Sequence, residues 1–302
     1  MVMGTRVLIT GASGLAGKYL MHCAPEQYNI CGTWYSHAQP FGYKMDLSKQ
    51  DSIDTVFDKF QPQIVIHCAA IGSVDYCEKH FDEAIDINAR GVRRVLQASE
   101  CYDAKVVFLS SNAVFAGTKP PYNEDDIRLP VNVYGRVKSY AEDFVSIYSG
   151  KWLIVRPIFL YGIPRLEGRG NWATRVMDAL SNGHTLYIVD DTVTQPTYAE
   201  DLARIIWALV PKETGIYHVA AEGVMSLYDF AMAIADEYTT TTVNITNRLL
   251  PSKSTASMFK DLAARPQDTT YDLTKLRKFM ERVKQPMPCC VAEGVQRMCN
   301  EL

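Results

Sequence analysis

A tyrosine and a lysine four residues apart are the chemically most informative pair in this chain. Tyr134 and Lys138 lie in a helix-compatible run, so a four-residue gap places both side chains on one helix face. Free tyrosine has a pKa of about 10, and a neighbouring ammonium lowers that value because it favours the phenolate. The pair therefore predicts an acid that can protonate a carbonyl oxygen near neutral pH.

Ser111 extends the pair to a trio. It lies at the predicted end of a strand, where its hydroxyl can donate to a substrate carbonyl beside Tyr134. Two simpler interpretations remain open at this point. Tyr-x-x-x-Lys also arises by chance on helix surfaces, and a serine after a strand often caps a turn. We predict Ser111, Tyr134 and Lys138 as the catalytic residues because the rest of the chain supplies a cofactor site.

A glycine-rich turn near the start of the chain predicts that cofactor site. It lies between an apolar, branched run typical of a buried parallel strand and a helix-compatible run. Gly11 permits a tight turn, Gly14 lets the backbone approach a pyrophosphate, and Gly17 lets the helix pack closely on the strand. The free amides at the helix N-terminus then face the phosphates. We predict dinucleotide binding here, with Ser13 and Leu15 included; the alternative is an ordinary glycine-rich turn.

Composition narrows the class of protein. The chain has 302 residues, is 47% hydrophobic and 22% charged, and carries a net charge of -3. These values are ordinary for a globular protein and do not favour a nucleic-acid or membrane partner. None of the eight cysteines forms Cys-x-x-Cys, which predicts a reducing, cytoplasmic environment without a metal site. The first predicted strand begins within a few residues of Met1, so we expect no signal peptide.

Strands and helices alternate along the first half of the chain. Alternation of this kind predicts an α/β fold with a doubly wound parallel sheet, a Rossmann fold, whose ligand lies at the carboxyl ends of the strands. We predict a dinucleotide-binding domain over residues 1–161, with residues 185–220 threading back into it. Residues 162–302 are predicted to build mainly a smaller α/β lobe for the substrate. The predicted strands are 6–10, 28–35, 63–68, 105–110 and 152–156, and the predicted helices include 51–60, 83–100 and 132–148.

Further candidate cofactor contacts follow the other predicted strands. Small residues at the end of the third strand would let a cofactor lie against the backbone: Cys68, Ala69 and Ala70. Asp46 and Leu47 follow a short strand-like segment, and Asp46 can accept a hydrogen bond from an adenine amino group; it can equally cap a helix ahead of Ser48. Asn88 can bend or hydrate its helix near the site, or simply be solvated.

These motifs together resemble extended short-chain dehydrogenase/reductases, and within that family the dTDP-4-dehydrorhamnose reductases and their relatives. The glycine turn and the Tyr/Lys pair are shared by the whole superfamily, whereas the Val-Phe-x-Gly, Pro-Thr and Arg-Pro segments narrow the resemblance. The matching segments run nearly end to end, over residues 11–17, 74–78, 88–89, 110–117, 134–142, 195–197, 201–203 and 265–266.

The resemblance implies a reductase of a 4-keto group on a nucleotide-linked deoxysugar. Tyr134 would protonate the sugar C4 oxygen, Lys138 would also bind the nicotinamide ribose, and Ser111 would orient the carbonyl. Pro157 would lie near the nicotinamide, whose reduced form supplies the hydride. Substrate contacts are expected from Val74, Asn112, Ala113, Asn171, Trp172 and Gln195.

The chain also departs from the family pattern. Such reductases usually carry Thr-Asp-Tyr before Val-Phe, where this chain has Ser111-Asn112-Ala113. The serine is a fair replacement for threonine, but the loss of the acid and the aromatic ring removes sugar contacts. The usual tryptophan after the fifth strand is also absent from residues 157–159. These changes leave the identity of the sugar open.

The end of the second predicted strand bears on the choice of cofactor. An acidic residue there would bind the ribose diol and repel a 2′-phosphate. Residues 33–37 include no acid, whereas Ser36 and His37 can contact a phosphate. We therefore predict a preference for NADPH, with NADH as the alternative.

Two other functions fit the same motifs. The first is a regulatory subunit without catalysis, because the β subunit of methionine adenosyltransferase resembles these reductases and acts by binding another enzyme. The second is a sugar-nucleotide epimerase, which recycles its cofactor. The intact trio favours the reductase. By analogy with relatives that dimerise, we also expect that the helices beginning near Glu83 and Asn132 can pack between two subunits.

Overall fold

The computed structural model describes residues 4–39, 42–164, 170–241, 252–254 and 262–302. The strands are β1 (Thr5–Thr10), β2 (Tyr28–Trp34), β3 (Tyr43–Lys44), β4 (Ile64–His67), β5 (Lys105–Leu109), β6 (Trp152–Pro157), β7 (Leu160–Tyr161), β8 (Tyr187–Val189), β9 (Val193–Thr194), β10 (Thr197–Tyr198), β11 (Gly215–Val219), β12 (Met225–Ser226) and β13 (Ser252–Ser254). The α-helices are α1 (Leu15–His22), α2 (Gln50–Phe60), α3 (Val74–Lys79), α4 (Phe81–Ile85), α5 (Gly91–Glu100), α6 (Val133–Ser146), α7 (Trp172–Ser181), α8 (Ala199–Leu209), α9 (Leu227–Thr241), α10 (Thr274–Val283) and α11 (Val291–Cys299).

The central element of the described chain is a seven-stranded parallel sheet. Its order is β11-β6-β5-β4-β1-β2-β3, so the chain runs outward in both directions from β1. The point where the direction reverses lies between β1 and β4, and ligands of such sheets bind there, beyond the carboxyl ends of the strands. The predicted doubly wound sheet is therefore confirmed.

Both faces of this sheet are covered near its centre, which explains why consecutive residues of β1, from Val7 to Ile9, are apolar. Val7 and Ile9 belong to one buried layer, and Leu8, on the opposite face of β1, belongs to another; all three side chains are fully buried. Successive side chains of a strand point to opposite faces, so a strand buried on both sides cannot alternate apolar with polar residues. An uninterrupted apolar run in the sequence therefore indicates a strand that is buried on both faces.

The predicted helix over residues 83–100 is not a single α-helix. It begins at Phe81, and a π-helical turn (Asp86–Arg90) separates α4 from α5. The turn contains Asn88, whose buried side chain bonds the backbone of Ile71 on the loop after β4. The π-turn accommodates one extra residue, and such turns occur often at functional sites.

After β7 the chain forms α7 and three short strands before it returns to the sheet through α8 and β11. Helix α8 packs against α1, and β11 pairs with β6 in parallel register from Gly215↔Leu153 to Val219↔Pro157. Helix α10 packs against β11, and helices α7, α9 and α11 with the short strand pairs β7-β10, β8-β13 and β9-β12 form the remainder of the described C-terminal half. The exact domain boundary near residue 161 stays a prediction. None of the described helices has the length and apolar character that crossing a bilayer demands.

Candidate active site

The glycine turn after β1 is built so that only glycine fits at two of its positions. Gly11 has a φ of +68°, and a Cβ there would lie 2.7 Å from the Ala69 Cα. A Cβ on Gly17 would lie 2.3 Å from the Gly11 carbonyl oxygen. Gly14, the residue before α1, donates its N–H to that same carbonyl. The turn thus brings bare backbone to the N-terminus of α1, where amides can receive a pyrophosphate.

A cavity of about 460 Å³ opens in front of this turn. Its volume lies in the range of small-molecule sites, and the carboxyl ends of β1, β2 and β4 contribute to its wall. The glycine turn, the small residues after β4 and the cavity between them fit a dinucleotide. The predicted residues on its wall are Gly11, Ser13, Gly14, Ser36, Asp46, Leu47, Cys68, Ala69 and Ala70. Residues that the sequence did not single out also line it, among them Trp34, Tyr35, Glu83 and Asp86.

A buried threonine and histidine hold the small residues after β4 in place. The Thr10 hydroxyl accepts from the N–H groups of Cys68 and Ala69, both at 3.2 Å, and lies 2.8 Å from Nδ1 of His67. Burial, together with the charge of Lys138, lowers the pKa of His67 to about 3, so its ring is neutral at physiological pH. Neither Thr10 nor His67 was predicted, although both end neighbouring strands.

Two predicted cofactor contacts use their polar groups within the protein. Asn88 is 1% exposed and lies outside the cavity wall; it bonds both the N–H and the carbonyl of Ile71, so it positions a loop. Asp46 lines the cavity, but its Oδ1 accepts from the N–H and hydroxyl of Ser48. Burial raises the pKa of Asp46, and the hydrogen bonds from Ser48 outweigh burial and hold the pKa below its ordinary value. Asp46 thus closes a turn with Ser48 through one of its oxygens, whereas the helix-cap alternative is wrong, because the N-cap residue of α2 is Lys49.

Leu15, Gly17, His37 and Pro157 also lie outside the cavity wall. Leu15 and Gly17 belong to α1 itself, and Gly17 is buried against the turn. His37 is exposed, with its Nδ1 2.9 Å from the Ser36 hydroxyl. Pro157 is buried at the end of β6. Of these, Gly17 shapes the turn by its lack of a side chain and His37 contacts a residue of the wall.

Helix α6 carries Tyr134 and Lys138, and its start is held by several side chains. Asn132 caps it by accepting from the Gly135 N–H at 2.8 Å, and Glu78 accepts from the Val133 N–H at 3.0 Å. Glycine is required at position 135, where a Cβ would lie 2.1 Å from the Ala113 carbonyl oxygen. This close approach brings the half-buried Tyr134 next to the segment that follows Ser111.

Lys138 is unusual among lysines because its side chain is almost fully buried. It is 3% exposed, its ammonium donates to the Leu109 carbonyl at 2.8 Å, and it lies 4.7 Å from the centre of the Phe108 ring. Burial lowers the pKa of Lys138 to about 8. The helix thus delivers a cation to the carboxyl end of β5, two residues before Ser111.

Ser111 and Asn112 form a short hydrogen-bonded chain toward the C-terminal half. The Ser111 hydroxyl accepts from the Ala113 N–H and lies 3.2 Å from the Asn112 Oδ1, to which it can donate. The Asn112 amide donates to the Thr269 hydroxyl at 2.6 Å. Ser111 therefore caps a turn, as the simpler interpretation of this serine predicted. The same position also places Ser111 beside α6.

The predicted substrate residues divide into two groups. Asn171 and Trp172 have structural contacts: Asn171 forms a capping box with Thr174 at the start of α7, and Trp172 stacks on Phe230 with ring centres 5.3 Å apart. Their substrate contacts stay predictions. Both residues lie at a helix start, where capping and packing use their side chains. Gln195 is buried beside a second cavity of about 450 Å³ and accepts from the Tyr271 N–H.

The positions of Val74 and Ala113 do not show whether their side chains contact substrate. Val74 is the first residue of α3, directly after its Ser73 cap. Ala113 lies in a 3₁₀ turn (Asn112–Val114), and its carbonyl oxygen meets α6. Both stay predictions as substrate contacts. The described residues include no group of three or more His, Cys, Asp or Glu side chains that could hold a metal ion.

A buried ion pair behind the trio was not predicted from the sequence. Arg156 of β6 donates to both carboxylate oxygens of Glu142 on α6, at 2.9 and 2.7 Å, and both side chains are 2% exposed. Ser110 also donates its hydroxyl to Glu142. Glu142 lies one helical turn after Lys138, so the ion pair joins α6 to β6, and the Ser110 hydrogen bond joins α6 to the end of β5 beside Ser111. The sequence alone does not indicate whether the side chain of an arginine near a strand end, such as Arg156, is buried.

Comparisons with known proteins agree with this geometry. The family model described as the RmlD substrate binding domain matches residues 5–300. The dTDP-4-dehydrorhamnose reductase of Aggregatibacter actinomycetemcomitans is 31% identical over 283 residues, which cover 90% of this chain and 92% of that protein. The methionine adenosyltransferase 2 subunit beta of Danio rerio is 28% identical, over 90% of this chain and 84% of that protein.

A solved structure extends the match to three dimensions. The dTDP-4-dehydrorhamnose reductase of Bacillus anthracis str. Ames, solved in complex with NADP, superposes with a TM-score of 0.86. It is 31% identical, and the superposition covers 99% of this chain and 100% of that one.

Proposed function

This chain belongs to the RmlD substrate binding domain family, and from that membership we propose that it is an NADPH-dependent oxidoreductase that reduces the 4-keto group of a nucleotide-linked deoxysugar. The relatives named dTDP-4-dehydrorhamnose reductase support the class of substrate, and the NADP complex of one of them supports the cofactor. The proposal is compatible with a cavity lined by a glycine turn. The trio does not line this cavity, but Lys138 lies near enough to Cys68 on the cavity wall for the two groups to interact electrostatically.

The observation that carries the proposal is the placement of Lys138. A lysine on the surface of a helix would be solvated, but this ammonium is buried and directed at the end of β5. Desolvating a cation costs free energy, and Phe108 and the Leu109 carbonyl offset only part of that cost. A protein that keeps a buried cation one helical turn from a tyrosine fits a catalytic use of its charge.

Each member of the trio then has a distinct task. The Tyr134 hydroxyl donates a proton to the substrate carbonyl oxygen, and the Lys138 charge lowers the tyrosine pKa so that this transfer is feasible. The Ser111 hydroxyl donates to the same oxygen as negative charge develops on it. The bound cofactor supplies the hydride. Gly11, Gly14 and Ala69 would hold its phosphates and ribose against the backbone.

A regulatory role on the same fold is the second candidate. It is favoured by the methionine adenosyltransferase 2 subunit beta relatives and by the loss of an acid and an aromatic ring at Asn112 and Ala113. In that case the chain would retain dinucleotide binding and act through a larger partner enzyme. The intact trio argues for the reductase, because a scaffold does not need a buried lysine.

The experiment that separates these functions is a panel of nucleotide-linked 4-keto sugars, assayed by the loss of reduced-cofactor absorbance. We expect at least one substrate to consume NADPH in a one-to-one ratio with product. An epimerase would turn over without net consumption of added NADPH. Absence of turnover across the panel, together with co-purification of a larger enzyme, would favour the regulatory function.

The depressed pKa of Lys138 predicts an alkaline limit to activity. Its pKa of about 8 means that the ammonium is present below that pH and is lost above it. As the charge disappears, the tyrosine pKa rises and Tyr134 becomes a weaker acid. We expect kcat/KM for ketone reduction to fall as the pH rises through about 8, and a pH profile measures this directly.

The Lys138→Arg variant is the matched control for that profile, because a guanidinium stays charged throughout the same range. The limb that belongs to Lys138 should be absent from its profile, and any alkaline limb that remains would report the ionisation of Tyr134, which must keep its proton in order to donate it. An identical limb in both proteins would assign the titration to another group.

A further inference from the structure

A carboxylate that follows α11 lies where helix α1 meets the C-terminal half of the described chain. Glu301 accepts hydrogen bonds from the hydroxyls of Tyr19 and Tyr198, both through Oε1. Its Oε2 lies 3.1 Å from the ammonium of Lys18. Lys18 and Tyr19 belong to α1, the helix that follows the glycine turn, whereas Tyr198 belongs to β10. These four residues form a cluster that we call the Glu301 clamp.

Both tyrosines of the clamp keep their protons. Burial, followed by the hydrogen bond to Glu301 and its charge, raises the pKa of Tyr19 above its ordinary value. Burial and the hydrogen bond to Glu301 likewise raise the pKa of Tyr198. A phenol has one proton, and Tyr19 donates it to Glu301, so the oxygen of Tyr19 is left to accept a hydrogen bond. It accepts from the N–H of Ile163 at 3.1 Å.

The two side chains of α1 together hold both backbone groups of Ile163. Its N–H bonds Tyr19, and its carbonyl accepts from the ammonium of Lys18 at 2.7 Å. The preceding residue, Gly162, accepts from the side-chain amide of Asn171 at 2.6 Å through its own carbonyl. A Cβ on Gly162 would lie 3.0 Å from the hydroxyl oxygen of Tyr19, so the tyrosine also packs against this residue. A chain of hydrogen bonds therefore runs from the clamp to the start of α7.

The carboxylate fixes the conformation of the two α1 side chains. Lysine has many rotamers on a helix surface, and holding it in one of them costs conformational entropy. The side chains of Lys18 and Glu301 are only 23% and 27% exposed, so water screens their attraction less than it screens a surface ion pair. Without the charge of Glu301, the ammonium has less reason to stay over Ile163.

We propose that Glu301 is a positioning residue for the sugar substrate: by holding Lys18 and Tyr19, it fixes the start of α7 relative to α1. The inference rests on the proposed function and on the predicted contact between Asn171 and the substrate. None of the hydrogen bonds of the clamp involves α6 or the end of β5, which carry the catalytic trio. The clamp should therefore affect substrate binding and leave the chemical step unchanged.

Steady-state kinetics of Glu301→Gln, with the keto sugar that the wild type reduces, tests this inference. Glutamine keeps the size of the side chain and removes the charge that holds Lys18. We expect KM for the sugar to rise about tenfold, the usual effect of losing one charge-assisted hydrogen bond, while kcat and KM for NADPH stay within about twofold of the wild type. Lys18→Met should show the same pattern, because it removes the next bond of the chain.

Glu213→Gln is the matched control. The Glu213 carboxylate also accepts from a tyrosine hydroxyl, that of Tyr217 at 2.7 Å, and pairs with a cation, Arg282. It lies before β11, at the amino end of the sheet, and therefore away from the ligand side. This variant should leave both KM values unchanged even if it lowers stability.

Hydrogen exchange of the Ile163 amide, followed by NMR, gives a readout that does not require turnover. Glu301→Gln should speed this exchange about tenfold, because the N–H is bonded to Tyr19, whereas Glu213→Gln should not change it. These two results together support the clamp as the group that holds the junction.

The possible failures are distinguishable. Unchanged sugar KM in Glu301→Gln overturns the positioning role and leaves the proposed reductase intact; if the Ile163 amide exchanges faster in that variant, Glu301 serves stability alone. An equal rise of sugar KM in Glu213→Gln also overturns the role, because general destabilisation would then explain both variants. A wild type that reduces no sugar of the panel overturns the proposed function, and the inference with it.

Discussion

Replacement of Tyr134 by phenylalanine is expected to lower kcat by about 10²–10⁴-fold, the usual contribution of a positioned general acid. The substitution removes one hydroxyl and keeps the ring that packs against the start of α6 and its neighbours. Cofactor affinity should change little, because Tyr134 is not among the residues that line the cavity. Single-turnover reduction of the keto sugar, together with a binding titration of NADPH, would measure both quantities.

Tyr140→Phe provides the control for this variant. Tyr140 belongs to the same helix and is 48% exposed, so its hydroxyl serves no role in the site. We expect wild-type kinetics from it. If Tyr134→Phe retained wild-type turnover, the proton donor would have to be a different group, and the proposed roles of Lys138 and Ser111 would lose their basis.

Breaking the buried ion pair should have the largest effect on stability. Arg156→Met leaves the Glu142 carboxylate 2% exposed, with Arg128 at 3.3 Å and the electrostatic influence of Lys138 in place of its two short bonds to Arg156. Removing one member of a buried pair typically costs about 3–5 kcal/mol of unfolding free energy, because the other charge stays buried. Urea unfolding would measure the loss, and catalysis should fall as well, since Glu142 also bonds Ser110.

The double variant Arg156→Met/Glu142→Leu tests whether the buried, unpaired carboxylate causes the loss of stability. Replacing both charges with apolar groups removes the uncompensated carboxylate, so a substantial part of the lost stability should return. Arg277→Met is the exposed counterpart, because Arg277 and Glu222 form an ion pair with nearly half of each side chain exposed. The Arg277→Met substitution should lower the unfolding free energy far less than Arg156→Met does. A single Arg156→Met variant as stable as Arg277→Met would contradict the argument.

The fold was predictable because its signals are local. Apolar runs such as 6–10 and 105–109 require burial on both faces, and their alternation with helices leaves few arrangements other than a doubly wound sheet. Gly11 and Gly17 were predictable for a similar reason: their need for a missing side chain follows from the turn that directly joins β1 to α1.

The site was predictable only in part. Asn171 and Trp172 were predicted to contact substrate, and the sequence did not show that they also cap α7 and stack on Phe230. Asn88 was predicted near the cofactor, and the sequence did not show that its side chain bonds the backbone of Ile71. His67, Thr10 and the Glu142–Arg156 pair carry no sequence signal, because a polar residue in a strand or helix does not show whether its partner lies far away in the chain.

The sequence by itself determined the sheet, the glycine turn and the candidate trio, since each follows from spacings of a few residues within one strand, turn or helix. Only the tertiary structure decided that Lys138 is buried against the end of β5, that Glu142 and Arg156 form a buried ion pair, and which polar side chains line the cavity. The physical reason is that pKa values, ion pairs and cavity walls depend on contacts between residues far apart in the chain, and those contacts exist only after the chain has folded.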